Sequence, residues 1–450
     1  MDFLQNIVEY ILDMGAPVFV PLIMLVIGLI ARMKFKDALS AAIIFGVAFS
    51  GMSLVVDFML ASISPAAQSF AENTGINLNA VDGGWTTAAA ITWSWPLAFL
   101  MFPITVGINI VMLAFKLTKT LNVDMWNVWG KIFTAILVMF LSGSVVLGFV
   151  VASIQVIIEL KIGDIWGKEI EDLTGIPGVT VPHHMTIIAS LLYPIDKLMD
   201  KVPFLNKKMD AEALRDKLGV FAENHIMGGL IGFLLGLAAN YGIQDSLVLG
   251  IQAATALTLF PMVSKLFMQA LSPISDAISE FMKRRFGDRE IFIGLDWPIL
   301  AGRNEIWVSA IVIIPVLLLF SVILPGNAVL PFGGIVNLSV CVAVVLLTRG
   351  NLVRSIIYGV ITAPVFLYIS TYFAPYITRL ANETGSVNVE AGSMLTWSTI
   401  ENGEFKLVFA NAMAGEWWGI LGAIVWLGLF VIFYFGRKRD NEKYFNEAEK

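Results

Sequence analysis

The chain has 450 residues, 57% of them hydrophobic and only 14% charged, with a mean hydropathy of +0.80 and a formal net charge of −6. That balance excludes a soluble globular domain, because such a chain is solvated by lipid and must satisfy its backbone N–H and C=O groups internally. The single Cys341 excludes an intramolecular disulfide, and no basic patch with interleaved aromatics outside the membrane-flanking loops suggests a nucleic-acid partner.

The opening segment MDFLQNIVEYILDMG lacks a basic n-region and a small-residue cleavage site, so Met1 reads as the mature start. Apolar runs predict spans near 16–31, 38–62, 93–115, 130–159, 179–195, 222–241, 247–272, 304–324, 334–348, 351–374 and 413–436. Segments 65–80 and 274–290 are more polar and read as interfacial amphipathic helices or as extramembrane loops. The expected fold class is an all-α polytopic membrane protein of about eleven transmembrane helices, with re-entrant segments.

Charge alternates along this series. Arg32, Lys34 and Lys36, then Lys116, Lys119 and Lys131, then Lys197 through Lys217, Lys283 through Arg289, Arg349 with Arg354, and Arg437 through Arg439 fall on one side. Glu159, Asp164, Glu169, Glu171 and Asp172, and later Glu383, Glu390, Glu401 and Glu404, fall on the other. The positive-inside rule then places the N-terminus outside and the C-terminus in the cytosol, which requires an odd number of spans.

Two stretches echo each other. MLASISP at Met59–Pro65 leads to VDGGWTTAAAITWSWP, and MQALSP at Met268–Pro273 leads to GLDWPILAG, each followed by a long apolar run. The first begins outside and the second inside. This predicts two inverted repeats, 1–215 and 216–436, with a cytosolic tail at 437–450 and a substrate near the midplane. Chance similarity of two Pro- and Trp-rich loops is the competing explanation.

Four constellations can carry chemistry. Asp82-Gly83-Gly84-Trp85-Thr86-Thr87 offers close backbone approach, two hydroxyls and an indole suited to a sugar, or is an interfacial Trp with turn glycines. Gly175 through His184 is punctuated by Pro177, Gly178 and Pro182, which predicts a re-entrant segment delivering His183 and His184 into an apolar run. These imidazoles suit hydroxyl recognition or serve as packing residues. On a helix they would point apart, and no nearby Cys, His or carboxylate supplies zinc-ligand spacing. Asp296, in GLDWP, faces a ligand or pairs with Arg303. LPGNAVLPFGG at Leu324–Gly334 reads as a hairpin dipping into the membrane with Asn327 at its tip, or as an extracellular turn. Asp57, Asn109 and Glu223 are secondary candidates, and Asp124 and Asn127 fit a helix entrance.

VDGGW, NVDMWNVWGKIFTA, the Pro-His of VPHH, GLDWPILAG and LPGNAVLPFGGI, in this order and spacing, resemble the galactitol-type membrane component (enzyme IIC) of the bacterial phosphoenolpyruvate-dependent sugar phosphotransferase system. The resemblance runs from Met1 to about Arg439. It implies kinship with ascorbate-type permeases, which are homodimers with a scaffold and a moving core. It also implies an elevator-type motion in a multi-pass bacterial cell membrane protein, and phosphorylation of the sugar or polyol by a phosphocysteine of a separate IIB protein supplied by IIA. By position it assigns substrate contacts to His183, Asp296 and the loop Asp82–Thr87. The scaffold corresponds to spans 16–62 and 222–272, and the core to 85–195 and 291–374. The chain departs at His184, where Gly is expected in galactitol-type relatives and an amide in ascorbate-type ones, and at Gly130-Lys131, where relatives tend to carry a His. With so short a tail, no fused IIA or IIB domain is expected. No phosphorylated residue, metal or cofactor of its own is expected. The rival function is an ion-coupled secondary transporter that releases unmodified solute. A membrane-embedded hydrolase or transferase lacks a convincing nucleophile or metal set.

Overall fold

The computed structural model describes residues 16–73, 78–206 apart from 94, 123 and 125, 224–286, 290–331, 334, 337–384, 389 and 394–448. The N-terminal 1–15, the basic loop 207–223 with the boundary between the two expected repeats, Glu223, Arg289 and Glu390 lie outside them.

Helices dominate. In chain order they are α1 (Ala16–Ile30), α2 (Phe35–Asn73), α3 (Gly84–Trp93), α4 (Met101–Ala114), α5 (Trp129–Ser142), α6 (Val145–Thr174), α7 (Ala189–Met199), α8 (Asn224–Ala238), α9 (Gly242–Phe286), α10 (Asn304–Ile323), α11 (Leu338–Thr348), α12 (Leu352–Thr384), α13 (Gly403–Met413) and α14 (Trp417–Ala448). Among the described residues, α6, α10, α12 and α14 are long and apolar enough to cross a membrane. α1, α2, α8 and α9 pack largely on one another. Gly228 and Gly232 allow α8 to approach α9 closely; a Cβ at Gly232 would lie 2.7 Å from the Leu249 carbonyl oxygen.

Among the described residues, six very short strands sit between the helices: β1 (Ala80–Asp82), β2 (Thr120–Asn122), β3 (Val179–Thr180), β4 (Phe292–Gly294), β5 (Val329–Leu330) and β6 (Met394–Thr396). They form two parallel three-stranded sheets, ordered β5-β1-β6 and β2-β4-β3. In the first, Ala80 aligns with Val329 and with Met394; in the second, Ile293 aligns with Leu121 and with Val179. Each central strand comes from one half of the chain and both its neighbours from the other half. Extended backbone inside a membrane protein is tolerable only where its polar groups are paired and sealed in protein. Here the Phe292, Ile293 and Leu295 N–H groups donate to Lys119, Gly178 and Thr180 carbonyls. The short helices beside the strands are correspondingly enclosed: α5 is buried from Trp129 to Val138 and α11 from Ser339 to Leu347.

Several sequence expectations need correction. The apolar run 130–159 is two helices, because Gly143 terminates α5 at φ 72° and Ser144 caps α6 by accepting the Leu147 N–H at 3.3 Å. The run 179–195 contains β3, a 3₁₀ turn at His184–Ile188 and the eleven-residue α7, too short to span. The surface helices expected near 65–80 and 274–290 largely continue α2 and α9; α2 runs through Pro65. Leu324–Gly334, expected to be a membrane-dipping hairpin or an extracellular turn, contains strand β5 at Val329–Leu330, paired with β1.

The acidic markers also move. Glu169 pairs with Arg437 at 3.1 Å and lies 4.0 Å from Arg349, and Tyr444 donates to Asp172 at 3.4 Å. These acids therefore lie beside the C-terminal basic cluster, where the charge alternation had placed them opposite it. Glu159, Glu401 and Glu404 are buried and mark no exposed loop.

Candidate functional site

The ends of β2, β3 and β4 converge. Beyond β2, the Asn109 side chain donates to the Thr120 carbonyl at 2.8 Å and accepts the Asn122 N–H at 2.9 Å, fixing where the strand stops. Asn122 then accepts the Asp124 N–H at 2.9 Å. Asp124 accepts the Asn127 backbone N–H at 3.2 Å and its side-chain amide at 2.7 Å, and Asn127 accepts the Trp129 indole N–H at 3.2 Å. This chain of side-chain bonds sets Asp124 and Asn127 at the entrance of α5, as their sequence context indicated.

Beyond β3, His183 is extended, with φ −106° and ψ 140°, and its Nδ1 accepts the Met185 N–H at 3.1 Å. A neutral ring must then carry its proton on Nε2, which lies 3.5 Å from Asp296 Oδ1. The two histidines do not diverge as they would on a helix: their rings stack at 4.1 Å and 26°. Beyond β4, Asp296 caps a 3₁₀ turn at Trp297–Leu300 and accepts the Trp297 N–H at 2.7 Å. Arg303 is not its partner. That guanidinium reaches Glu305 at 2.6 Å and the Leu173 carbonyl at 3.3 Å.

Asp124, His183 and Asp296 each place a nitrogen or oxygen within 4.8 Å of the others. Two carboxylates and an imidazole in an apolar setting are costly unless hydrogen-bond donors meet them. A polyol, whose every hydroxyl both donates and accepts, matches that need. The distance argument against zinc loses force here, since folding also brings Glu401 to His183 and His184. The donor set still fits a metal poorly. His183 Nδ1, both Asp124 oxygens and Asp296 Oδ1 all already accept protein N–H groups.

His184 Nε2 lies against the Glu401 carboxyl, and Trp129 meets its ring edge-on at 5.3 Å. Trp129 also lies 5.7 Å from Trp397, linking this region to the segment beyond β6. Gly130 makes the imidazole possible: a Cβ there would sit 2.5 Å from His184 Cε1. The two positions at which the sequence departs from its resemblance therefore touch. Lys131 is buried with Glu159 at 2.5 Å, and Glu159 accepts the Gln155 amide at 2.7 Å. Lys406 donates to the Glu401 carbonyl at 2.6 Å. Among the described residues His184 Nδ1, Trp397 Nε1 and both Asn402 side-chain polar atoms are buried without a hydrogen-bond partner. Such atoms mark places where a ligand or water completes the site.

The remaining expected site residues fall elsewhere. Asp82 is fully buried at the end of β1 and accepts the Gly84 N–H at 2.9 Å, the Gly334 N–H at 2.8 Å and the Ser398 hydroxyl at 2.5 Å. Trp85, in the first turn of α3, packs against the apolar cluster that includes Trp129 and Trp397. Thr86 and Thr87 follow it in α3, their side chains outside the described ones. Asn327 donates to the Ser321 and Val329 carbonyls and accepts the Val329 N–H and the Thr371 hydroxyl. The structure thus gathers His183, His184 and Asp296, and occupies Asp82 and Asn327 with protein groups. Glu401, Trp129 and Trp397 were not singled out from sequence. The signal for Glu401 was available: WSTIENGEFK puts three charges directly ahead of an apolar run, but it reads as an outer loop.

Broken helices whose buried polar ends meet inside a chain with membrane-length helices define a membrane transport protein. Residues 10–392 match the family EIIC-GAT, the PTS system sugar-specific permease component, and the chain belongs to that family. It is 33% identical over 411 residues to the PTS system galactitol-specific EIIC component of Escherichia coli (strain K12), covering 88% of this chain and 90% of that protein, with the same values for the Escherichia coli O157:H7 counterpart. A further strain K12 relative, named only as a permease IIC component, is 32% identical over 446 residues, covering 96% of this chain and 99% of its own. Membership makes this a multi-pass cell-membrane protein that works with IIB and IIA components on a sugar substrate.

Proposed function

We propose that this chain takes up a galactitol-like polyol from outside, carries it across the membrane by an elevator-type motion and presents it to a separate IIB protein for phosphorylation. One observation carries the reading: Asp124, His183 and Asp296 meet at the ends of three strands from both halves of the chain. Discontinuous segments meeting near the midplane are the usual place for a transported solute.

The inverted repeat is supported by element order. From α1 to α7, each element of the first half has a counterpart 203–215 residues later, α1 with α8, β1 with β4, β2 with β5 and β3 with β6 among them. α1, α2, α8 and α9 then form the scaffold and the dimer contact, and the strands with their short helices form the moving core. One crossing for each of α1, α2, α4, α6, α8, α9, α10, α12 and α14, and one each for β2–α5 and β5–α11, gives eleven, with the N-terminus outside and the C-terminus in the cytosol.

Phosphoenolpyruvate-dependent uptake measured over a panel of polyols and sugars tests the reading. Asp296→Asn and His183→Ala are expected to abolish it with membrane insertion intact. Normal uptake by both variants would remove the site. Accumulation of unmodified solute would instead favour ion-coupled transport.

A further inference from the structure

At the opposite ends of β2 and β4 from the substrate site lies a second cavity, of about 400 Å³. Five lysines line it: Lys116, Lys119, Lys161, Lys168 and Lys438. Lys119 pairs with Glu290 at 2.7 Å, Lys161 with the Leu117 carbonyl at 2.7 Å and Asp164 at 3.3 Å, and the Lys168 ammonium lies 5.9 Å from the centre of the Phe445 ring. Among the described residues Lys116, Lys168 and Lys438 have no carboxylate within 4.0 Å. The turn carrying Lys116 is held firmly, since Asp164 accepts the Thr118 hydroxyl at 2.6 Å and the Lys119 N–H at 2.7 Å. Lys116 itself sits in the left-handed region at φ 59°, a strained conformation for a residue with a Cβ.

Position gives the pocket its meaning. Lys119 precedes β2, which leads to Asp124, and Glu290 precedes β4, which leads to Asp296. At about 3.3 Å per residue, three strand residues separate the lysines from the substrate site by roughly 10 Å. The C-terminal end of α14 forms the other wall, beside the basic cluster Arg437–Arg439 that marks the cytosolic face.

We propose that this cavity is the docking surface for the soluble phosphoryl-donor protein in its phosphorylated form, whose phosphate-bearing loop is received by Lys116, Lys168 and Lys438. The inference rests on the proposed hand-off to IIB. A lysine cluster recognises a phosphate as a set of point charges. Asp164, Glu290 and Glu442 interrupt the positive surface, and Phe292, Tyr434 and Phe445 add apolar walls. That pattern suits the register of a protein partner, whereas an anionic lipid surface needs only net positive charge.

The test uses the full chain in vesicles of neutral phosphatidylcholine and a purified galactitol-type IIB protein, phosphorylated and unphosphorylated. In K116Q/K168Q/K438Q, affinity for the phosphorylated protein is expected to fall at least about tenfold. Its salt dependence should flatten, and polyol binding without the donor should stay unchanged. The corresponding Lys→Arg triple variant should keep most of the affinity. Lys168→Glu alone, an exposed change, should weaken donor binding in the same direction and covers the case in which the triple variant fails to fold. Unchanged affinity in these variants would overturn the proposal. So would a loss of affinity seen only when phosphatidylglycerol is added, which would assign the lysines to lipid. A wild-type chain that binds polyol yet never yields phosphorylated polyol with the donor would bring down the hand-off itself, a failure visible without any lysine variant.

Discussion

The two three-stranded sheets share a plan and differ in what meets the acid at the end of the central strand. At the end of β1, Asp82 meets three donors delivered by the chain itself: the Gly84 and Gly334 backbones and the Ser398 hydroxyl. At the end of β4, Asp296 accepts one backbone donor, the Trp297 N–H at 2.7 Å, and otherwise meets an imidazole at 3.5 Å and a second carboxylate nearby, and its side chain keeps 14% exposure. An aspartate at membrane depth is therefore not in itself a mark of a ligand. Where glycine backbones converge on it, the acid fastens re-entrant segments together. Where another acid and two stacked histidines converge, the set is the one proposed above to receive the polyol.

The comparison can be broken most forcefully at Asp82. Asp82→Ala leaves the Gly334 N–H and the Ser398 hydroxyl buried without their acceptor, and is expected to cost about 3–5 kcal/mol. The loss should appear as a collapse of thermal stability in detergent, measured by size-exclusion after heating. Asp296→Asn is expected to do the reverse: uptake is lost while stability stays within about 1 kcal/mol of the parent, since the new amide oxygen can still accept the Trp297 N–H. A stable, fully active Asp82→Ala would erase the distinction between the two sheets.

A smaller effect sharpens the open sheet. Gly130→Ala drives a methyl group into the His184 ring and should weaken polyol binding by about 1–3 kcal/mol. Removing the ring in Gly130→Ala/His184→Gly should restore part of the loss. A double-mutant cycle on ligand affinity measures this, and simple additivity would show that the two positions act independently. The smallest effect belongs to the surface. Lys119 and Glu290 are 53% and 41% exposed, so Glu290→Gln should change stability by no more than about 1 kcal/mol in a melting experiment.

Much of this was legible in the sequence, and the omissions have physical causes. Hydropathy located most membrane-length helices, and the apolar flanks of Asp296 and His183 marked them as expensive residues. It could not see the break at Ser142-Gly143-Ser144, because the residues on both sides are equally apolar and only Gly143 carries the turn. Nor could it separate a crossing helix from the enclosed segment at 179–195, since burial in protein and burial in lipid select the same side chains. Splitting one predicted span while losing another leaves the proposed number of crossings unchanged. Glu159 and Glu169 were placed in solvent for a related reason. Their partners, Lys131 and Arg437, come from other helices, and no local pattern announces a buried ion pair.

The central claim is that the polyol sits where β2, β3 and β4 end. A density map of the chain in lipid nanodiscs, saturated with the polyol that drives its uptake, tests this most directly. The account predicts ligand density within hydrogen-bonding distance of Asp124, His183 and Asp296, with Asp82 still bonded to Gly84, Gly334 and Ser398. Ligand density on Asp82 and Asn327, with the ends of β2, β3 and β4 empty, would contradict it.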